Sequence, residues 1–131
     1  MNIERVITDI IEKNPHIAAI IVDRDGIIRF INDTYLKALQ LPIDEVIGQD
    51  IRKITPYSRT MKAIETGRPH LAYNWSIHGR QGVACSVPLF ENDEIIGAFA
   101  YSIFLDIWDQ KLRNQVLNGI ISNKEPYQEG F

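Results

Sequence analysis

The segment that most restricts how this chain can fold is IIGAFAYSIFL, residues 95–105. Its apolar residues occupy consecutive positions, so both faces of an extended strand built from it would be apolar. A strand of that kind lies in the middle of a sheet that is covered on both sides. We therefore expect a sheet with Glu94 to Phe104 as its central strand and with other strands on either side.

Further upstream, two short apolar runs flank a tight turn. AAIIVD, residues 18–23, and IIRFI, residues 27–31, are separated by a turn containing Gly26, which is typical of a β-hairpin. Asn32 follows directly, and its side chain is suited to capping a helix. A second short helix should end at Gly48. These elements contain no nucleophile and no phosphate loop, so we predict no catalytic residue among them.

Apolar residues recur at helical spacing near both ends of the chain. The first such stretch should end at Asn14, because the residue before a proline is pushed out of the helical region. The second covers residues 106–121. Between them, residues 56–66 predict a longer helix, with a proline first and Gly67 after its end.

Two more strands are expected before the central one. HLAYNWSIHG, residues 70–79, predicts a strand because large apolar residues alternate with small or polar ones. One face of this strand would carry Leu71, Tyr73, Trp75 and Ile77. GVACSVPLF, residues 82–90, predicts the next strand, and ENDE, residues 91–94, predicts the turn that joins it to the central strand.

Composition limits the classes of protein that this chain can represent. The chain has 131 residues, which is the usual size of one domain, and 45% of them are hydrophobic. A net charge of -3 argues against nucleic acid as a direct partner. Cys85 is the single cysteine, which fits a reducing compartment, and we expect it to be a buried apolar residue without reactivity. No signal peptide or membrane-spanning run is recognisable, so we expect a cytoplasmic location and no membrane contact.

The order of these elements resembles the PAS domain family. The resemblance rests on IIVDRDGIIRFINDTYLKALQLPIDEVIGQDI, residues 20–51, and on EIIGAFAYSIF, residues 94–104. The first contains the D-x-x-G-x-I hairpin, the capping asparagine and the E-V-I-G end of the family. The resemblance implies an α+β fold with five antiparallel strands in the order 2-1-5-4-3 and small helices over one face. We expect an amphipathic helix at residues 1–14, the PAS domain at 15–106, and a signalling helix with a polar tail at 107–131.

A narrower resemblance concerns ITPYSRTMKAIETGRP, residues 54–69, and VPLFENDEIIGA, residues 87–98. Both are similar to the sensory PAS domain of sigma-54-dependent transcriptional activators, which also carry an AAA+ ATPase and a DNA-binding domain. This implies a sensor of small molecules that is not an enzyme. Two alternatives stay open: a PAS module that only dimerises and relays a signal, and a small cavity enzyme. The strand order and the lack of a suitably spaced histidine–acid pair argue against the enzyme.

The resemblance also bears on cofactors. Haem-binding PAS domains generally use a histidine on or near the longer helix, and residues 56–66 contain none. GQDIRKI, residues 48–54, stands where flavin-binding light sensors carry a cysteine-containing signature. We therefore expect neither haem nor flavin, and the cofactor is unknown. The three histidines lack the close spacing of a metal site, so no metal is predicted: they are His16, His70 and His78.

The candidate ligand site depends on which side chains face the helix at residues 56–66. Arg59 is interpreted either as a solvent-facing helix residue in a salt bridge, which we slightly favour, or as a cation at a pocket edge. Aromatic residues with polar tips either fill a core or line a cavity. Small residues on this side could leave a void or let the helix pack closely: these are Ala63, Ala84, Ser86, Ala98, Ala100 and Ser102. The candidate ligand-binding residues are Arg59, Tyr35, Tyr73, Trp75 and Ser86, and the expected ligand is a small organic anion or polar metabolite.

Assembly is predicted from the two terminal helices. Both are amphipathic, and one side of the sheet would otherwise stay exposed, which usually marks an interface. We expect a symmetric homodimer in which the signal leaves through residues 106–121, because that helix directly continues the central strand. The expected interface residues are Ile3, Ile7, Ile10 and Ile11, joined by Trp108 and Leu112.

Overall fold

The computed structural model describes residues 1–56 and 58–105, together with positions 114, 115 and 118. The helices are α1 (Ile3–Lys13), α2 (Asp33–Leu39), α3 (Ile51–Ile54) and α4 (Thr60–Thr66), with a 3-10 turn at Ile43–Glu45. The strands are β1 (Ile17–Asp23), β2 (Ile28–Ile31), β3 (His70–Ile77), β4 (Arg80–Glu91) and β5 (Glu94–Phe104). The helix predicted for residues 106–121 lies outside the described residues except at three positions, which are helical.

The five strands form one antiparallel sheet in the order β2-β1-β5-β4-β3. The predicted strand order and the central place of residues 94–104 are therefore confirmed. β5 pairs along its length with β1 on one side and β4 on the other. At Gly97 the strands approach so closely that an added Cβ would lie 2.1 Å from the carbonyl oxygen of Val22. Glycine at this position is what allows β1 and β5 to pair without a break.

The hairpin between β1 and β2 is confirmed, and one carboxylate organises its turn. Asp23 accepts hydrogen bonds from the backbone N–H groups of Asp25 and Ile27, at 2.9 and 3.0 Å. Its second oxygen binds the guanidinium of Arg29 at 2.7 Å. These bonds lower the pKa of the Asp23 carboxyl against the opposing, largest effect of burial. Gly26 completes the turn with φ +87°.

The two faces of the sheet differ. The inner face is covered by α2, α3 and α4 and contains the apolar core, with Ile20, Tyr73 and Phe104 among its fully buried side chains. On the outer face of β5, Phe99 and Tyr101 are half-buried and stack on each other with ring centroids 5.6 Å apart. The expectation that both faces of the central strand are covered is therefore met only on the inner side by the described residues.

The C-terminal end of α1 is bonded to the rest of the domain, whereas its apolar side faces solvent. The predicted stop at Asn14 is confirmed, because Asn14 is the C-cap of the helix. Asn32 donates to the carbonyl oxygen of Ile11 at 2.8 Å, and the hydroxyl of Thr34 donates to that of Asn14. The apolar residues on the free side of this helix are solvent-exposed: Ile3, Val6, Ile7 and Ile10.

The start of the longer helix was predicted wrongly. α4 begins at Thr60, four residues later than the expected Pro56, so that proline precedes the helix. The reason is local: the Ser58 hydroxyl accepts from the Thr60 backbone N–H at 3.2 Å and bonds the Thr60 hydroxyl at 2.6 Å. Serine hydroxyls that bond to nearby backbone compete with helical hydrogen bonding.

α3 was not predicted at all. It is one turn long, and the carboxylate of Asp50 caps it by accepting from the backbone N–H of Arg52 at 2.8 Å. The guanidinium of Arg52 also binds this carboxylate, and both contacts lower the Asp50 pKa to about 2. So short a helix has almost no periodicity from which it could be recognised.

Candidate functional site

A bulge in β3 decides which side chains enter the space beneath α4. The pairing of β3 with β4 shifts between His70 and Tyr73, and Ala72 in the bulge has φ +56°. His70 and Tyr73 therefore both lie on the inner face, while Leu71 is 40% exposed. The predicted alternation placed Leu71 with Tyr73 and is wrong at this end, because one extra residue reverses the faces.

Hydroxyl groups from three elements meet under the start of α4. The Tyr73 hydroxyl contacts Ser86 Oγ at 2.8 Å, and Ser86 Oγ lies 3.4 Å from Thr60 Oγ1. Thr60 Oγ1 in turn bonds Ser58 Oγ at 2.6 Å. The backbone N–H of Arg59 donates to the Tyr73 hydroxyl at 3.3 Å. The result is a chain of buried hydroxyls that links β3, β4 and α4.

The same cluster contains a guanidinium and an imidazole. Arg59 is only 9% exposed, and its Nε–H donates to His70 Nδ1 at 3.3 Å. On the other side of the ring, Nε2 lies 3.3 Å from Thr66 Oγ1. The interpretation of Arg59 as a solvent-facing residue, which the sequence slightly favoured, is wrong, because Arg59 precedes the helix and turns inward. We call these seven side chains the polar cluster: Ser58, Arg59, Thr60, Thr66, His70, Tyr73 and Ser86.

Burial favours the uncharged forms of Tyr73 and His70 in this cluster. It raises the pKa of the Tyr73 hydroxyl, although hydrogen bonds from Ser86 and the Arg59 backbone oppose the shift. It lowers the pKa of His70, and the positive charges of Arg59 and Lys62 lower it further. At neutral pH the tyrosine and the histidine are therefore uncharged hydrogen-bonding groups beside the buried arginine.

An aromatic group lies next to the polar cluster on the inner face. Tyr35 and Trp75 meet edge to face with centroids 5.5 Å apart, and Trp75 and Phe104 are tilted at 6.1 Å. The guanidinium of Arg80 lies 3.7 Å above the ring of Phe104. Burial raises the pKa of the Tyr35 hydroxyl, with a hydrogen bond to Thr55 acting against it. These rings fill much of the space between the sheet and α2.

A half-open cavity of about 80 Å³ adjoins this aromatic group. Sites for small molecules usually measure about 300–1,000 Å³. A molecule of more than a few heavy atoms could therefore enter this cavity only if the lining side chains moved. The cavity is lined by Ile54, Thr55, Pro56, Trp75, Ser76 and Ile77.

One hydroxyl on the inner face differs from those of the polar cluster. Ser102 of β5 is 3% exposed, and its Oγ has no hydrogen-bond partner within the described part of the chain. Its neighbours across the sheet are Ala18 and Ala84, so small side chains surround it. A buried hydroxyl without a partner is uncommon in proteins, and a bound water or small group is one way to satisfy it.

All five candidate ligand-binding residues lie on the inner side, in two adjacent groups. Arg59, Tyr73 and Ser86 belong to the polar cluster, whereas Tyr35 and Trp75 belong to the aromatic group. The predicted small residues are also here, and α4 packs closely over them with Ala63 fully buried. Four members of the polar cluster were not predicted from the sequence: Ser58, Thr60, Thr66 and His70. The repeated hydroxyl residues from position 58 to 66 were the available signal.

Cys85 lies apart from this site. It is half-buried on the outer face, where its Sγ accepts from the Ala72 backbone N–H at 3.4 Å and contacts the Tyr101 hydroxyl. Within the residues that the structure describes, no three His, Cys, Asp or Glu side chains could together hold a metal ion. Nor does this part of the chain contain a helix long and apolar enough to cross a membrane.

The fold and the covered inner face agree with a comparison to known families. The family model described as the PAS fold matches residues 10–99. This chain belongs to the PAS family. A search of curated proteins finds no significant match. As a PAS domain the chain has a sensory signalling fold, which confirms the resemblance seen in residues 20–51 and 94–104.

Solved structures similar to this PAS domain come from several signalling proteins. The PAS domain of Bordetella pertussis BvgS is 17% identical, with a TM-score of 0.61, and the match covers 93% of this chain and 98% of that one. The PAS domain of nitrogen regulation protein NR(II) from Vibrio parahaemolyticus is 12% identical at a TM-score of 0.56, covering 75% and 97%. The VqmA dimer of Vibrio cholerae is 14% identical at 0.62, covering 80% of this chain and 52% of that one. At identities this low, the similarity of the structures shows the fold alone.

Proposed function

We propose that this PAS domain is the sensory module of a larger signalling protein and that it responds to a small polar molecule bound at the polar cluster. The observation that carries the proposal is the arrangement of Arg59, Tyr73 and Ser86. The Arg59 backbone N–H, the Tyr73 hydroxyl and the Ser86 hydroxyl meet beneath the start of α4, and the Arg59 guanidinium lies beside them against His70. We propose no enzymatic activity for the domain.

Polar groups in an apolar core lower the free energy of unfolding unless their hydrogen bonds are complete. A buried hydroxyl that forms an imperfect hydrogen bond contributes little, and one that forms none costs about 1–3 kcal/mol. Apolar residues at positions 60, 86 and 102 would fill the same space at lower cost. The polar residues at these positions favour a role in recognition, because a ligand could complete their hydrogen bonding.

The chemistry of the cluster indicates the class of ligand. A guanidinium binds carboxylates and phosphates through a planar set of donors, and hydroxyls can accept from or donate to the same ligand. A ligand at the polar cluster would have to displace the start of α4, because Ala63 of this helix is fully buried against the sheet. This close packing favours a small carboxylate or other polar metabolite. A ligand can shift the domain only if it binds the displaced arrangement more tightly than the closed one.

The ends of the domain suggest how this displacement reaches an effector. The backbone N–H of Phe104 donates to the carbonyl oxygen of His16 at 3.2 Å, and Ile17 pairs with Ile103. The end of β5 and the segment that follows α1 therefore lie side by side. We propose that the signal leaves through residues 106–121, which continue β5, and that α1 senses the same movement.

The downstream effector is proposed from the sequence. The similarity of residues 54–69 and 87–98 to the sensory domains of sigma-54-dependent activators supports a transcriptional regulator with an ATPase and a DNA-binding domain. The VqmA dimer, described as a LuxR-type receptor that has a target DNA, supports the broader class of transcription factors. We propose a cytoplasmic location, which the single cysteine, Cys85, supports because it fits a reducing compartment.

The ligand proposal can be tested by a thermal-shift screen of small carboxylates and phosphates. We expect at least one compound to raise the melting temperature of the wild-type domain and to have a much smaller effect on Arg59→Ala. Arg68→Ala is the matched control, because it removes the same charge from an exposed position next to α4. If no compound stabilises the wild type, or if both variants respond equally, the sensing proposal is wrong and the alternative of a relay module without a ligand takes its place.

We also propose that the domain acts as a symmetric homodimer in which the exposed apolar side of α1 packs against a second copy. The homodimer is supported by two apolar surfaces that each copy leaves exposed. One is the apolar side of α1, and the other is the outer face of β5. The second copy is the natural occupant, since each copy offers both surfaces. Ile3, Ile7 and Ile10 are positioned for this contact, Ile11 is half-buried against the domain, and Trp108 and Leu112 lie outside the described residues.

Sedimentation of two matched variants tests the dimer. Ile7→Glu places a charge on the apolar side of α1 and should make the domain monomeric at micromolar concentration. Thr8→Glu adds the same charge on the opposite side of the same helix and should leave the dimer intact. A wild-type monomer well above micromolar concentration, or an Ile7→Glu variant that dimerises normally, would contradict the proposal.

A further inference from the structure

His70 occupies a position unlike those of the other two histidines. His16 and His78 are exposed, whereas His70 is 8% exposed beneath α4. Both of its ring nitrogens have polar neighbours at 3.3 Å. A buried histidine with two directed contacts has a defined protonation state, and a change in that state must alter its neighbours.

The donors around the ring fix that state. Arg59 can only donate, so Nδ1 must accept and carry no proton. The Thr66 hydroxyl donates to the carbonyl oxygen of Lys62 at 2.7 Å and accepts from the backbone N–H of Arg68 at 3.3 Å. Its second lone pair can accept from Nε2. Neutral His70 with its proton on Nε2 satisfies every one of these contacts.

We propose that His70 is a proton-operated latch on α4, in which protonation of Nδ1 breaks the contact with Arg59 and releases the start of the helix. A proton on Nδ1 would point a second donor at the Arg59 Nε–H and place two cations 3.3 Å apart. Arg59 must then move. Its backbone forms the first hydrogen bond of α4, with Ala63 at 3.1 Å, and also binds the Tyr73 hydroxyl. Movement of Arg59 therefore loosens both the helix start and the hydroxyl chain.

The surroundings of the ring oppose protonation in the closed state. Burial lowers the pKa of His70 below the ordinary 6.5, and the positive charges of Arg59 and Lys62, on the side of α4, lower it further. From β4, the residue paired with His70 is Ser86, which carries no charge. Tyr73 on the same strand is neutral because burial raises its pKa. Acid is therefore needed to open the latch.

The sign of the stability effect follows from this direction. The unfolded chain binds a proton at this histidine more readily than the closed domain does. The free energy of unfolding should therefore fall as the pH drops below the ordinary value of 6.5, and this loss should end once the pH has passed the lower pKa of the closed domain.

This inference concerns the same polar cluster as the proposed metabolite site but does not require a metabolite. A domain that binds no carboxylate could still open with acid, and a domain that binds a carboxylate through Arg59 could fail to do so. The two proposals are therefore tested separately, and the failure of one leaves the other standing.

Nuclear magnetic resonance of the wild-type domain tests the latch directly. At neutral pH, the nitrogen spectrum of His70 should show a proton on Nε2 and none on Nδ1. On acidification the ring should titrate at a lower pH than a histidine in a blocked peptide in the same buffer. Amide signals from Thr60 to Ala63 should shift with the same midpoint. A proton on Nδ1 at neutral pH, an ordinary midpoint, or helix signals that ignore the titration would each overturn the proposal.

A pair of variants isolates the contribution of His70. His70→Asn can place Oδ1 where Nδ1 lies, so that it accepts from Arg59 but cannot take up a proton. We expect its α4 signals to lose their pH response. His16→Asn changes an exposed histidine in the same way and should keep the response. If His70→Asn fails to fold, the wild-type titration alone decides the matter.

Discussion

Two buried polar regions of this PAS domain are built on opposite principles. One is the single side chain of Asn32, which is 0% exposed and joins α1, β1 and α2. Its Oδ1 accepts from the backbone N–H groups of Ala19 and Tyr35 at 3.0 and 3.1 Å. Its Nδ2 donates to the carbonyl oxygens of Ile11 and Ile17 at 2.8 and 2.7 Å. All four hydrogen-bonding positions of the amide are used.

The other is the polar cluster beneath α4. Its contacts are uneven in length. Two are short, at 2.6 Å for Ser58 with Thr60 and 2.8 Å for Tyr73 with Ser86. Two others are long, at 3.3 Å for Arg59 with His70 and 3.4 Å for Thr60 with Ser86. Its hydroxyls can reverse donor and acceptor roles, and one of its members can take up a proton. Nearby Ser102 forms no hydrogen bond within the described residues.

We call Asn32 with its four backbone partners the rigid joint. An amide with four short bonds to backbone has one acceptable arrangement, so Asn32 fixes how α1 leaves the domain. Hydroxyls can exchange donor and acceptor roles and so rearrange more easily, which is why we propose the polar cluster as the place where a ligand or a proton acts.

The largest expected effect comes from breaking the rigid joint. Asn32→Ala leaves buried carbonyls and amides without partners and removes the cap of α2, so it should lower the free energy of unfolding by about 3–5 kcal/mol. Urea unfolding followed by circular dichroism measures this. A loss of less than about 1 kcal/mol would contradict a structural role for the amide.

Asn32→Asp tests the same contacts more finely, because aspartate has the shape of asparagine and keeps the oxygen that accepts from Ala19 and Tyr35. The introduced carboxylate would face the carbonyl oxygens of Ile11 and Ile17, where the amide donated. We expect strong destabilisation at neutral pH. The difference from wild type should narrow as the pH falls, since the protonated carboxyl can donate one of the lost bonds.

The contrast between the two regions also explains what the sequence could predict. Asn32 as a cap, the hairpin before it and the central place of residues 94–104 were predicted because each depends on local pattern. Residues next to one another in the chain contain the whole signal: a turn glycine, a capping side chain, or an apolar run. The structure confirms these features without correction.

The polar cluster could not be derived in the same way. His70 faces inward only because β3 bulges against β4, and a bulge depends on pairing with a strand ten or more residues away. Arg59 turns inward because Ser58 delays the start of α4. Alternation correctly placed Tyr73 and Trp75 on one face of β3, since both lie beyond the bulge, but it could not tell whether that face is the inner one. Long-range register is therefore what separates the predicted part of the site from the part that was missed.

A smaller effect is expected within the polar cluster. Ser86→Ala removes the hydroxyl that contacts Tyr73 at 2.8 Å and Thr60 at 3.4 Å. The free energy of unfolding should fall by about 1–2 kcal/mol, less than for Asn32→Ala, because the Tyr73 hydroxyl keeps the Arg59 backbone as a partner. Urea unfolding under the same conditions compares the two variants directly. A loss equal to that of Asn32→Ala would show that the cluster is as rigid as the joint.

The smallest effect is expected at Ser102, which is the matched control for Ser86. Both serines lie on the inner face of neighbouring strands and are almost fully buried, so each change to alanine removes the same atom. Ser102 lacks a partner among the described residues, so Ser102→Ala removes a group whose burial is not compensated. The domain should keep its stability or gain up to about 1 kcal/mol. A loss as large as that of Ser86→Ala would mean that the Ser102 hydroxyl is bonded in solution, to water or to a retained molecule. Native mass spectrometry of the wild type would then separate the two, because only a retained molecule adds mass beyond that of water.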